Sequence, residues 1–158
     1  MTLTWQKLSV LLQDLLESET IIDGVLAQDS SQVASLWELR EGITEAAGKM
    51  GKVFKYDVSL PASHMYELVE ATRHRLCKAG LFSGKGEKSI VKEVIGFGHF
   101  GDGTSHEGKL GVTDIFTVGV GNLHLNVIAE SYAPEVQSEL EPFVYEFVSK
   151  YRGSISAE

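Results

Sequence analysis

Two histidines, His99 and His124, are the residues whose types and surroundings most favour chemistry in this chain of 158 residues. Both lie in segments with the alternation of β-strands and beside glycines, which allow a ligand to approach the backbone closely. Two strand-borne imidazoles and a carboxylate suit Zn²⁺ or Mn²⁺ with one coordination position open for substrate. The candidate carboxylates are Asp102, Glu107, Glu130 and Glu158. The alternative, which the pattern alone favours, is that both histidines make only local hydrogen bonds.

A second group of residues suits the carboxylate of a substrate. Arg40 and Thr44 are four residues apart, so they share one face of a predicted helix, and Lys55 lies on the next predicted strand. A guanidinium fork is the natural partner of a carboxylate. The same pattern more often describes an ordinary surface arginine and lysine, so it needs a second signal before it indicates a site.

Three other kinds of site are excluded by the residues around these groups. Residues 96–101, GFGHFG, match the spacing GxGxxG, but a dinucleotide site needs a helix directly after the glycines, and no helical period follows. A hydrolase built on His99 and Asp102 lacks a nucleophile in its neighbourhood. The net charge of −8, without a cluster of basic residues, argues against nucleic acid as a partner.

The elements that must position these residues follow from hydrophobic periodicity, which predicts the order α-β-α-β-α-β-β-α. The helices are predicted at residues 4–18, 30–50, 61–80 and 134–151, and the strands at residues 21–29, 52–60, 90–100 and 122–130. Helices interleaved with strands, the last two strands antiparallel, predict an α+β fold with an antiparallel-type sheet and helices packed on one face.

Composition limits the remaining classes of protein. The single cysteine, Cys77, cannot form an intrachain disulfide, and its place in a helical pattern predicts a small buried or half-buried side chain. No apolar run approaches the length of a membrane span, so we expect none. The first residues carry no secretory signal and no arginine-rich transit peptide, which favours the cytoplasm for the chain as it stands.

Four stretches of the sequence resemble one family of flavoenzymes. The stretches are LWELREGITEA, VFKYDVSLP, GFGHFGDG followed by NLHLNV, and the terminal GSISAE. They resemble the C-terminal part of FAD-linked D-2-hydroxyacid dehydrogenases, nearest to the D-2-hydroxyglutarate and fungal D-lactate dehydrogenases, over roughly residues 15–158. The resemblance implies an oxidoreductase that takes a D-2-hydroxyacid to the 2-oxoacid, passes hydride to FAD and electrons to a further acceptor, and works in the mitochondrion.

The resemblance also implies roles for particular residues. In the family a zinc ion lies beside the flavin, which implies His99, His124 and Glu158 as metal ligands here. The substrate pocket of the family implies Arg40, Thr44 and Lys55 as partners of a distal carboxylate and Asn126 as a further substrate contact. Because lactate has no distal carboxylate, the first three of these favour a dicarboxylate such as 2-hydroxyglutarate.

The chain departs from the family at its ends and in one internal segment. Residues 1–158 correspond to a substrate and metal domain truncated at both ends, since the FAD domain precedes this region in the family and a His-Gly segment follows it. Here the two histidines are 25 residues apart, because the 18 residues 104–121 stand between GDG and NLHLNV, which the family joins directly. We interpret residues 104–121 as a retained intron that has been translated, with a genuine surface insertion as the alternative.

These departures leave two hypotheses for function. The chain is either part of an FAD-dependent dehydrogenase, inactive alone because the FAD domain is absent, or a non-catalytic metal- or acid-binding or interaction module. The inserted segment also predicts a disturbed site, because it would push the two histidines apart unless it bulges away from the strands on either side.

Overall fold

A computed structural model describes residues 3–84, 89–100 and 120–155 of the protein. The chain divides into two compact units, Met1–Ile43 and Thr44–Glu158. The helices are α1 (Leu3–Glu17), α2 (Ser30–Met50), α3 (Ala62–Lys78) and α4 (Pro134–Lys150). The strands are β1 (Lys52–Pro61), β2 (Val91–Phe100) and β3 (Val120–Ala129).

The first unit contains α1, the extended residues after it and the beginning of α2. The sequence-based strand at residues 21–29 is wrong, because these residues adopt no regular structure. Asp23 and Gly24 interrupt the apolar run, the Asp23 carboxylate accepts a hydrogen bond from the Gly24 amide, and Ile22 is fully exposed. A strand needs a neighbour for its backbone hydrogen bonds, and the described residues offer this segment none.

The second unit is built on an antiparallel sheet with the strand order β1-β3-β2 in the residues that the structure describes. Alternate residues of the sheet are buried against α3 and α4 in one hydrophobic core: Phe54, Tyr56, Val58, Leu123, Leu125 and Val127. Pro61 precedes α3 and Pro134 is the first residue of α4, where proline is favoured. The predicted α+β class, with helices on one face of an antiparallel sheet, is confirmed.

Polar side chains connect α3 to the residue that ends α4. Glu67 accepts hydrogen bonds from His64 and from Tyr151, whose rings stack at a centroid distance of 3.8 Å. These hydrogen bonds, that of His64 first, lower the pKa of the Glu67 carboxyl below its usual value. The two helices that cover the sheet are thus joined by the Tyr151–Glu67 hydrogen bond and the ring stack as well as by the core.

Cys77 departs from its expected burial. Its side chain is exposed, whereas its neighbour Leu76 is fully buried. Successive side chains on a helix project about 100° apart, and that of Cys77 points away from the core that buries Leu76. Among the described residues, no helix combines the length and the hydropathy that a membrane span requires.

Candidate functional site

The sheet face opposite α3 and α4 carries most of the residues that the sequence predicted for the site. We call it the polar face, and the strand register arranges its side chains in three rows across β1, β3 and β2. The rows are Ser59–Asn122–His99, Asp57–His124–Phe97 and Lys55–Asn126–Ile95. Residues directly opposite one another in antiparallel strands project on the same side of the sheet, so all nine side chains share this face.

The register brings the two predicted metal-binding histidines together. His99 pairs with Asn122, two residues from His124, so the imidazoles are diagonal neighbours with ring centroids 6.4 Å apart and planes at 67°. The strands pair as far as Phe100 and Gly121, and Gly121 is the last residue of the inserted segment. The described strands agree with the alternative in which the inserted segment leaves the two histidines together, because cross-strand hydrogen bonds hold the register.

Residues 101–119 and 156–158 lie outside the described part of the chain. Two of the candidate carboxylates, Asp102 and Glu107, and the predicted third ligand Glu158 fall there. Within the described part, no group of three or more histidine, cysteine, aspartate or glutamate residues has the spacing to hold a metal ion. The assignment of Glu158 as a ligand stays a prediction.

The centroids of the histidine pair lie farther apart than one shared ion would place them. Two imidazoles on a tetrahedral zinc ion, with bonds of about 2.1 Å, would have ring centroids roughly 5 Å apart. The observed separation of 6.4 Å would have to close by about 1 Å, which rotation of partly exposed side chains can supply. Imidazole nitrogens are also the donors that suit zinc.

Asp57 is a site residue that the sequence analysis missed. Its carboxylate Oδ1 forms a short hydrogen bond with Nδ1 of His124, directly opposite on β3. On the other side of the imidazole lies the Phe97 ring at a centroid distance of 5.2 Å. The alternation of VFKYDVSLP places Asp57 on the same face as Lys55, and this was the one signal that could have found it.

Lys55 and Asn126 form the next row of the polar face. They are directly opposite in the β1–β3 register, Lys55 exposed and Asn126 buried. The Asn126 amide nitrogen donates to the backbone oxygen of His124 at 3.1 Å, so it supports the strand that carries the histidine. A cation beside an oriented amide can hold a carboxylate.

A cleft of about 740 Å³ runs along β1 and includes Lys55, Asp57 and His124. Its volume is in the range of small-molecule sites. The cleft passes around the edge of β1 to the other face of the sheet, where Glu141 and Tyr145 of α4 line it. Burial raises the pKa of the Tyr56 phenol, and the nearby Glu141 and Tyr145 raise it further, so this cleft residue remains a neutral hydroxyl.

The two remaining predicted residues lie on α2. Arg40 belongs to the first unit, where its guanidinium carbon is 5.8 Å from the centroid of the Trp37 ring, and Thr44 is an exposed residue of the second unit. Their roles as substrate ligands stay predictions. The polar face itself brings together the other four described residues of the predicted site: Lys55, His99, His124 and Asn126.

Comparison with known families defines the class of protein to which this fold and site belong. The family described as FAD linked oxidases, C-terminal domain, matches residues 3–158. The match extends over the described sheet, the helices that cover it and the polar face. The chain belongs to this family.

Individual relatives carry more specific names. A putative mitochondrial D-lactate dehydrogenase of Schizosaccharomyces pombe is 48% identical over 154 residues, which is 97% of this chain and 26% of the relative. The mitochondrial D-2-hydroxyglutarate dehydrogenases of Arabidopsis thaliana and Rattus norvegicus are each 42% identical over 153 residues, 97% of this chain and 22% and 23% of those proteins. The chain thus spans about a quarter of the length of the curated relatives it matches.

Proposed function

We propose that this chain supplies the substrate and metal site of an FAD-dependent dehydrogenase that oxidises a D-2-hydroxyacid to the 2-oxoacid. The observation that carries the proposal is the placement of His99 and His124 as diagonal neighbours on adjacent strands, with Lys55 and Asn126 in the row next to that of His124. Relatives named as D-lactate and D-2-hydroxyglutarate dehydrogenases support this reaction class. Because those relatives are also named as mitochondrial, the mitochondrion is the proposed location.

A zinc ion would be held by His99 and His124, with Glu158 as the third ligand. When bound, it would supply a Lewis acid that polarises the substrate hydroxyl and eases loss of its proton. Two neutral imidazoles and one carboxylate leave a coordination position open, as a catalytic zinc site requires. FAD, the hydride acceptor, would be bound mainly by a part of the protein outside this chain, and the electrons would pass to a further acceptor.

The polar groups beside the histidines would orient the substrate. We assign the Lys55 ammonium, which lines the cleft, and the Asn126 amide, which lies directly opposite Lys55 on β3, to a carboxylate of the substrate. Arg40 and Thr44 are proposed to hold the distal carboxylate with Lys55. A D-2-hydroxyglutarate molecule has that second carboxylate and D-lactate does not, so we propose the dicarboxylate as the preferred substrate.

Replacement of the two histidines in the full-length flavoprotein tests the proposal. We expect His99→Ala and His124→Ala each to lower kcat/KM for D-2-hydroxyglutarate at least about a hundredfold, measured by reduction of a dye acceptor. His74→Ala is the matched control, because His74 is an exposed histidine of α3 and does not line the β1 cleft. Turnover by either site variant that equals the control would remove the histidine pair from the reaction.

A non-catalytic acid- or metal-binding module is the second candidate, because two imidazoles and an ammonium on one sheet face can bind an ion or an acid without catalysis. Isothermal titration separates the two hypotheses. If the region is a binding module, it should bind zinc or the hydroxyacid by itself. A full-length flavoprotein that contains the region should then not oxidise the acid. Oxidation that depends on His99 and His124 would exclude it.

A further inference from the structure

We propose that Asp57 is a positioning residue for His124: its carboxylate holds the proton of the imidazole on Nδ1 and leaves the lone pair on Nε2 for a ligand. Oδ1 of Asp57 contacts Nδ1 of His124 across the β1–β3 pair. The assignment goes beyond the proposed function, which gives Asp57 no role, and rests on it only for the identity of the ligand as zinc.

The chemistry of the two groups determines which nitrogen carries the proton. An ionised carboxylate accepts hydrogen bonds and donates none, whereas neutral imidazole has one N–H donor and one nitrogen lone pair. A hydrogen bond between Asp57 and Nδ1 therefore places the N–H at Nδ1. Nε2 is then the nitrogen that can bind a metal or accept a proton.

The surroundings of His124 keep this orientation. The imidazole is bracketed by Asp57 on β1 and by the Phe97 ring on β2, 5.2 Å away between centroids and tilted by 43°. The side chain of His124 is 29% exposed and that of Asp57 is 61% exposed, so the carboxylate reaches the imidazole from the solvent side. A carboxylate that contacts a histidine in this way fixes the tautomer and the orientation of the ring.

Two interpretations of the Asp57–His124 contact, a surface ion pair and a positioning carboxylate, lead to different expectations. An exposed pair between Asp57 and a protonated His124 would contribute little and would impose no tautomer on the neutral ring. A positioning carboxylate imposes one. Because Asp57 is exposed, Asp57→Asn is expected to leave the fold intact, which circular dichroism and the unfolding midpoint check.

The tautomer of His124 can be measured directly in the full 158-residue chain. Two-bond ¹H–¹⁵N correlation spectra of ¹⁵N-histidine protein, recorded without metal at one fixed pH where the imidazole is neutral, distinguish protonated from unprotonated ring nitrogens. The His124 signals are identified by their loss in His124→Gln. We expect the Nδ1–H form in the wild type and a mixture of both tautomers in Asp57→Asn, because an amide can accept from or donate to Nδ1.

Zinc affinity provides the second readout. Asp57→Asn is expected to weaken zinc binding about 10- to 100-fold, and Asp57→Glu to restore part of the loss. Glu146→Gln, which removes the same charge from an exposed residue of α4 that does not line the β1 cleft, is the matched control and should bind as the wild type does.

Two results would overturn the role of Asp57: an Nε2–H tautomer in the wild type, or an unchanged spectrum in Asp57→Asn. A wild type that shows the expected tautomer and its loss in Asp57→Asn but does not bind zinc would support the positioning role. That result would reject the metal in the proposed function, so the failure of one is distinguishable from the failure of the other.

Discussion

Lys55 and Asn126 illustrate what single residues contribute to the proposed site. The lysine is exposed at the edge of the sheet, while the asparagine opposite is buried and tied to the backbone of the histidine strand. An exposed ammonium attracts a carboxylate without a large desolvation penalty, whereas a buried amide fixes direction. The pair therefore combines attraction with orientation.

Substitution of Lys55 should change substrate preference more than catalysis itself. In the full-length flavoprotein, Lys55→Met is expected to lower kcat/KM for D-2-hydroxyglutarate at least about tenfold, because a charged partner of its carboxylate is lost. The effect on D-lactate should be smaller, and the ratio of the two kcat/KM values is the measurement. Lys52→Met, at the start of the same strand and outside the cleft, serves as the control. Equal losses for both substrates would show that Lys55 does not recognise the distal carboxylate.

The β2–β3 pair shows how an element holds the site in spite of a long connection. Gly121 lies opposite Phe100, and a Cβ at this position would be 2.7 Å from the sulfur of Met65 and 2.8 Å from the backbone oxygen of His99. The position therefore requires glycine. If residues 104–121 were absent, Gly103 would precede Asn122 and supply that glycine.

A chain without residues 104–121 is expected to keep the same sheet. Its connection between Phe100 and Gly103 would be the dipeptide Gly-Asp, which suits a two-residue hairpin turn. Shortening the loop should raise the free energy of unfolding by roughly 1–2 kcal/mol through the entropy of loop closure. Urea denaturation measures this change, and zinc titration checks that the histidine pair is retained.

The control for that deletion is a substitution at Gly103 in the shortened chain. Gly103→Val in the shortened chain should lose at least about 1 kcal/mol, because its Cβ would meet the contacts that surround Gly121. A shortened chain that aggregates or fails to fold would contradict the interpretation of residues 104–121 as dispensable, and it would favour a genuine insertion.

The whole molecule distributes its hydrophobic core unevenly. The second unit buries a continuous core between the sheet and two helices, with Leu60, Leu68, Leu125 and Leu140 fully inaccessible. Among the described side chains of the first unit, none of the hydrophobic ones is buried. Since burial of apolar area is the main favourable contribution to folding, the two units differ in local stability.

Hydrogen exchange of the whole chain should report this difference. We expect the backbone amides of α1 to exchange fast and those of β3, the central strand, to exchange only on global unfolding. Mass spectrometry of exchanged peptides from residues 5–17 and 121–129 makes the comparison within one sample. Protection of α1 equal to that of β3 would show that the first unit has a stabilising core of its own.

Local pattern predicted most of this fold. Residues a few positions apart produce the alternation in VFKYDVSLP and NLHLNV and the helical periods of α1 to α4. These patterns can therefore be recognised in the sequence. The strand expected at residues 21–29 failed because a strand also needs a partner, and no local pattern states whether one is present. The exposure of Cys77 likewise depended on which face of α3 meets the core.

The sequence by itself determined the elements, the α+β class, the family and four of the residues on the polar face: Lys55, His99, His124 and Asn126. Only the tertiary structure decided that His99 and His124 are diagonal neighbours across 25 residues and that Asp57 meets His124. The physical reason is that periodicity is a property of adjacent residues. Register, in contrast, is set by hydrogen bonds and burial between strands far apart in the chain.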